Sequence, residues 1–464
     1  MGIVLQGGTV VTATDCYQGD VRLEGEKIAA IGSQVIQPDD EVISVNGCYL
    51  FPGGIDTHTH FDLNTGTTVT ADDFSSGTAA AVLGGTTTIL DFATQNKGET
   101  LQQAVENWQQ KAVGKSYSDF GFHMAITDWH EQIEQEMFHL VHDEGISSFK
   151  LYLAYKGTLQ VDDGVLFAAL KRSPQIGALM AFHCENGDVI SQLIKEKLAQ
   201  GLVSPRYHPI SHPAAAEQEA VARVLSLAEI ARAPAYIVHV SCASALESIA
   251  AARNRGVEVY AESCPQYLLL HESCYETDDF TAAKYVMSPP LRLMSDTQAL
   301  WTGLSRGAIN TLGTDHCSFN YAGQKDLGIH DFSKIPNGIP GVENRLGLMY
   351  TYGVLTGKIT LNQFVALIAT NGAKLFGLFP QKGTIAPGSD ADIVVWDPTY
   401  RGMIRQETLR QRVDYTPYER FAQTGKARHV FLRGRQVVVS GKLQEEPSGR
   451  YLFRKPFYSE TVKN

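Results

Sequence analysis

The chain has 464 residues, 44% of them apolar and 19% charged, and a formal net charge of −11. That length exceeds one ordinary core and fits a barrel of about 250 residues with a smaller companion domain. An acidic chain without a basic cluster is a poor partner for nucleic acid or an anionic membrane, and no apolar run approaches the ~20 residues of a membrane span.

The first fifty residues read as short strands, and their opening, MGIVLQGGTVVTATD, lacks the basic and long apolar regions of a signal peptide. GDVRLEGEKIAAIGS (19–33) alternates, turns at Gly-Glu-Lys and alternates again, the pattern of a hairpin. IDTHTH (55–60) follows the turn-like Phe51-Pro52-Gly53-Gly54. In a strand, residues i and i+2 face the same way, so His58 and His60 aim two imidazoles at one spot.

Apolar, β-rich runs then recur at 86–92, 120–126, 148–155, 178–186, 235–241, 257–265 and 311–318. Helical patterns such as QQAVENWQQKAV, VISQLIKEKLAQ and AEQEAVARVLSLAEIA lie between them. With the strand that carries IDTHTH this makes eight strands alternating with helices, the requirement of a (β/α)8 TIM-like barrel. Toward the end, GSDADIVVWDP and HVFLRGRQVVVSGKL (429–443) repeat the strand-and-hairpin design of the start. The sequence therefore predicts an α/β protein: a barrel over 53–375, and a smaller β-sandwich domain from both chain ends, 1–52 and 376–440. A tail, 441–464, is expected at an oligomer interface. Seven scattered cysteines with no CxxC suit reduced thiols in a cytoplasmic enzyme.

Active sites of such barrels lie at the C-terminal ends of the strands. His58 and His60 close the first strand, Lys150 lies in the fourth, His183 in the fifth, His239 in the sixth and Asp315 in the eighth. A lone histidine in an apolar strand is usually a packed core residue, and a lone lysine a surface cation. Together, at one rim, these six residues read as a metal site. Imidazoles and a carboxylate suit Zn2+, with Mn2+, Co2+ and Fe2+ open. One ion cannot use all the ligands, whereas two ions ~3.5–4 Å apart can. An ammonium beside two dications would be repelled, so we infer that Lys150 reacts with CO2 and bridges both ions as a carbamate.

At PGGIDTHTHFD, GGTTTILDF, SSFKLYLAYKG, HCENGDVI, YIVHVSCA, ESCPQYLLL, SPPLR, GTDHCSF and KIPNGIPG, the chain resembles the amidohydrolase superfamily. Within it, the chain is similar to the dihydropyrimidinase and D-hydantoinase family of cyclic amidases, over nearly its whole length. The resemblance implies a first metal on His58, His60 and Asp315, a second on His183 and His239, and a carbamylated Lys150 between them. It implies a catalytic Tyr155, and backbone contacts from Ser288 and Asn337 to a small cyclic ureide. A metal-bridging hydroxide would attack the ring amide carbonyl, and Tyr155 would stabilise the oxyanion. Asp315 would carry the proton to the departing nitrogen. The product would be an N-carbamoyl amino acid, from a 5-substituted hydantoin or a dihydropyrimidine. Homotetramers are common in that family.

Dihydroorotases resemble the chain too, but place an arginine two residues after the HxH pair, where Asp62 stands here. Allantoinases lack the tyrosine five residues beyond the bridging lysine, and Tyr155 argues against them. Non-catalytic scaffolds of the same fold have lost metal ligands, and every ligand position is filled here. Leu63, Asn64 and Thr65 in the first loop, and Tyr152 and Leu159 in the second, are expected to shape the pocket for the ring substituent.

Overall fold

The computed structural model describes residues 2–458. Eight parallel strands form one sheet in strict chain order: Gly54–Thr59, Thr86–Thr94, Asp119–Ala125, Ser148–Tyr152, Leu179–His183, Ala235–Ile237, Val259–Ser263 and Thr311–Leu312. The first and last are brought together by a parallel bridge between Thr59 and His316 and by the hydrogen bond from His60 N–H to the His316 carbonyl, 2.8 Å. Fully buried Arg345 ties the same seam lower down. Its Nη1 donates to the carbonyls of Ile55 and Leu312, both at 2.8 Å.

All eight expected strands are present, but several end earlier than their apolar runs. The fourth stops at Tyr152 rather than 155, the sixth at Ile237 rather than 241, and the eighth at Leu312. The reason lies in the backbone just beyond each end. Tyr155 (φ 66°), His239 (φ 40°) and Asp315 (φ 52°) adopt left-handed conformations that a strand ladder cannot contain. Tyr155, expected at a strand end, therefore sits in a loop.

The crossover helices obey their sequence patterns. Leu101–Ala112 starts at a capping box of Thr100 and Gln103 and buries Leu101, Ala104, Val105, Trp108 and Ala112, one face of a 3.6-residue period. Trp108 then reaches the barrel: its Nε1 donates to Asp91 at 3.0 Å. Asp91 also accepts from Thr59 Oγ1 (2.8 Å) and the Phe61 N–H (2.9 Å), so a helix side chain steadies the segment on either side of His60.

The second sheet has nine strands and comes from both chain ends. Its order is Lys442–Leu443, Arg435–Val439, Ala422–Leu432, Ile393–Met403, Tyr49–Pro52, Ile3–Val11, Cys16–Glu24 and Lys27–Gly32, with Glu41–Ser44 beside Ile3–Val11. Both expected hairpins are there. Alternation sorts the side chains: Leu50, Ile393, Val395 and Phe431 join a core of the sheet's own, while Phe51, Val394, Trp396 and Val430 join the barrel's core.

Beyond this sheet the chain returns to the N-terminal ends of the barrel strands. The Phe120 N–H donates to the Arg450 carbonyl and the Arg454 N–H to Gly145. Arg454 is fully buried; it donates to Ser148 Oγ at 2.9 Å and to the Phe122 carbonyl. The part of the predicted interface tail from 459 onward lies outside the described residues. All seven cysteines are unpaired, and among the described residues no helix is long and apolar enough to cross a membrane.

Candidate metal centre

The HxH pair behaves as its spacing predicts: the His58 and His60 rings lie 5.2 Å apart. Both Nε2 atoms approach one carboxylate oxygen, Asp315 Oδ1, at 3.2 and 3.3 Å. These three residues form a group whose ligand atoms all lie within 4.8 Å of one another. Lys150, fully buried in its strand, places Nζ 3.0 Å from His58 Nε2. His239 reaches the cluster with its ring 5.5 Å from that of His58, and His183 follows, its Nδ1 3.0 Å from His239 Nε2. The six residues singled out as ligands are thus gathered in one place.

Three of the loops that deliver these groups run through left-handed non-glycine residues, at Tyr155, His239 and Asp315. Such backbone is held only where surrounding structure over-determines it. At Asp315 the restraint is visible. Thr314 donates its N–H (3.0 Å) and Oγ1 (2.7 Å) to buried Asp56. A side chain on Gly313 would meet Glu262 and His58, both at 2.8 Å, so only glycine lets this loop pass beside the histidine.

Two buried carboxylates set the proton positions on the rings. Glu262 Oε2 accepts from Thr57 Oγ1 (2.6 Å) and Tyr236 OH (2.7 Å), and Oε1 meets His58 Nδ1 at 2.6 Å. This assigns the proton to Nδ1 and leaves the Nε2 lone pair directed into the centre. Glu185 meets His183 Nε2 at 2.9 Å in the same way, which frees Nδ1 on the side of His239. Neither glutamate was expected from the sequence. The signal was a carboxylate inside an apolar strand, VYAES, and another in HCEN, the same oddity that exposed Lys150.

Electrostatics point the same way. Burial, then the Lys150 charge, pushes His58 well below its ordinary value, so its imidazole is neutral. Burial pushes Asp315 up, but His58, His60 and Lys150 more than reverse this and hold it below the usual carboxylate range. Burial lowers Lys150 to about 8 against the pull of Asp315 and Glu262. Burial raises Glu262 to about 7 against its Thr57 and Tyr236 donors. The neutral His58 Nε2 and the ionised Asp315 Oδ1, both acceptors, face each other at 3.2 Å. His60 Nδ1 and His239 Nδ1 are buried without a partner among the described residues. Acceptors turned toward one another, with imidazole and carboxylate as donor types, fit a divalent metal.

Tyr155 packs its ring 5.2 Å from that of His183, and the Ser288 side chain lies near its phenol. Burial, then the Glu185 and Asp315 charges, raises its phenol well above 10, so it remains a donor. Tyr152 is buried, its ring 5.7 Å from that of His183. Asn337 and Leu159 are half-buried, as is Leu63, whereas Thr65 is exposed and bonds within its own turn, to the Thr68 carbonyl.

The amidohydrolase family profile matches residues 49–437. The D-hydantoinase of Geobacillus stearothermophilus is 49% identical over 452 residues, which are 97% of this chain and 96% of that one. The D-phenylhydantoinase of Escherichia coli strain SE11 is 42% identical over 461 residues, 98% of this chain and 99% of the relative. The crystal structure of the dihydropyrimidinase from Brevibacillus agri superposes with a TM-score of 0.98 at 48% identity, covering 99% of this chain and 100% of that one. A profile that spans the barrel and part of the flanking sheet, with relatives this similar from end to end, leaves one conclusion: the chain belongs to the amidohydrolase family.

Proposed function

We propose that this chain opens cyclic ureides, hydrolysing the ring amide bond of 5-substituted hydantoins and dihydropyrimidines to N-carbamoyl amino acids. The observation that carries this reading is the convergence of His58, His60, Lys150, His183, His239 and Asp315 on one spot. It is supported by near full-length similarity to proteins named D-hydantoinase and dihydropyrimidinase. His58, His60 and Asp315 would hold one divalent ion, zinc being favoured, and His183 and His239 a second, with Lys150 bridging as a carbamate. Such ions polarise a carbonyl and lower the pKa of water from 15.7 toward about 7.

The protein's own groups do the rest. Backbone groups of Ser288 and Asn337 orient the ureide ring. The Tyr155 hydroxyl, kept protonated, donates to the carbonyl oxygen as it gains charge. An Asp315 carboxylate oxygen takes a proton from the attacking water and delivers it to the ring nitrogen as the C–N bond breaks. Leu63, Thr65, Tyr152 and Leu159 shape the space for the ring substituent. The same reading carries a homotetramer in the cytoplasm, and a division into a β domain (1–52 and 376–440), a barrel (53–375) and a tail (441–464).

Steady-state rates on hydantoin, 5-phenylhydantoin and dihydrouracil, with the ring-opened product identified, test the proposal. Failure of the metal-replete protein to open any of the three refutes it. Tyr155→Phe is expected to lower kcat about 10²–10³-fold, as loss of one oxyanion donor does, with the fold intact because only a hydroxyl is removed. Activity within a factor of about two would make Tyr155 a packing residue.

A further inference from the structure

Lys325 was not singled out by its sequence, and it is fully buried. Its Nζ donates to three backbone carbonyls: Val286 at 2.7 Å, Pro336 at 3.0 Å and Gly338 at 2.7 Å. An ammonium has three N–H donors, and all are used. No carboxylate pairs with it among the described residues. Burial lowers its pKa to about 7, the mark of how costly a charge without a counter-ion is there, so a lysine kept on three carbonyls in this place calls for a reason.

The three carbonyls belong to the two loops that carry Ser288 and Asn337. Other buried donors grip the first loop as well. His208 Nε2 donates to the Met287 carbonyl at 2.8 Å, and Tyr267 OH to the Pro289 carbonyl at 2.7 Å. The Gly338 N–H donates to the Val286 carbonyl at 3.1 Å, which ties the loops to each other. The carbonyls on both sides of Ser288 are therefore claimed, and so are those on both sides of Asn337. The turn is also seated against the loop of Asp315. Gly338 has φ +143°, and a side chain there would meet the Cys317 carbonyl at 2.3 Å.

We propose that Lys325, assisted by His208 and Tyr267, is a positioning residue that fixes the backbone of the Ser288 and Asn337 loops for ureide binding. The inference rests on the reading of Ser288 and Asn337 as backbone contacts to the ring. Among the described residues none of the three donors hydrogen-bonds a metal-ligand side chain; they act on the carbonyls that flank the two binding residues. The loops are thereby ordered before the ligand arrives, so binding does not have to supply that ordering. Removing a clamp should weaken substrate binding while leaving the reacting groups in place.

The test is Lys325→Met and Tyr267→Phe in the metal-loaded full-length protein, with kcat and KM measured separately on hydantoin. The expected result is a KM raised about tenfold or more with kcat within about threefold, the sign of lost uniform binding by a hydrogen bond worth that much. Metal content should equal that of the wild type. Tyr267→Phe keeps its ring in place, and it decides the matter if Lys325→Met does not fold. KM within about twofold of wild type in the variants that fold, or a loss confined to kcat, overturns the proposal. A crystal structure of the metal-loaded protein with N-carbamoylglycine, the product of hydantoin, separates the two layers. Product bound away from Ser288 and Asn337 refutes the site reading. Product bound on them, with KM unmoved in the variants, refutes only the role of Lys325.

Discussion

Asp315→Asn is expected to fold normally and to lose about 10³–10⁴-fold in kcat, toward the upper end of what a positioned acid–base group supplies. The substitution is close to isosteric, and asparagine tolerates the left-handed backbone that Asp315 adopts at φ 52°. The anchor of the loop, Thr314 on Asp56, is untouched. What changes is charge and proton capacity. The carboxylate oxygen that now meets His58 Nε2 at 3.2 Å and His60 Nε2 at 3.3 Å becomes a neutral amide oxygen or nitrogen. Such a group binds a cation more weakly and cannot carry a proton to a leaving nitrogen. Two measurements separate these effects from damage to the fold: the thermal transition should stay near that of the wild type, and elemental analysis should find less metal. Activity within about tenfold of wild type would remove Asp315 from the proton path.

The legible part of the molecule was the part governed by period and by residue type. Alternation gave the two terminal hairpins, and apolar runs divided by helical patterns gave eight barrel strands. A lysine and histidines placed where valine belongs gave the centre. Strand ends were less legible, because they are set by turns at His239 and Asp315 that only the folded environment imposes. The supporting carboxylates were missed for a different reason. Glu262 acts on the far nitrogen of the His58 ring, a relation that exists only once strands 54–59 and 259–263 share a barrel, whereas Glu185 lies only two residues from His183 and shows its role only in the way the chain turns beyond its strand. Lys325 was invisible for the same cause. Its partners are backbone carbonyls 39, 11 and 13 residues away, which carry no side-chain signature.

Lys150 should give the largest effect, and its physical situation explains why. Its Nζ lies 3.0 Å from His58 Nε2 and stands over the rings of Phe92 and Tyr152 at 4.2 and 4.8 Å. Aromatic faces offer a cation some attraction, but no carboxylate forms an ion pair with it among the described residues. Burial lowers its pKa to about 8, so the neutral amine is within reach near neutral pH. That amine can attack CO2: an N–C bond forms, a proton leaves the nitrogen, and a cationic tip becomes an anion with two oxygens. Lys150→Ala is then expected to lose at least half of the bound metal and about 10³-fold or more in activity, because the stabilisation supplied by such a site is several kcal/mol. Lys150→Arg should fail as badly, since guanidinium stays cationic at any working pH and repels the metals. Acetate or propionate added with metal should restore part of the activity of Lys150→Ala, limited by the entropy of holding a free anion, and none of that of Lys150→Arg. Full metal content with near-normal turnover in Lys150→Arg would mean that the lysine only packs the barrel, and that no bridging anion is needed there.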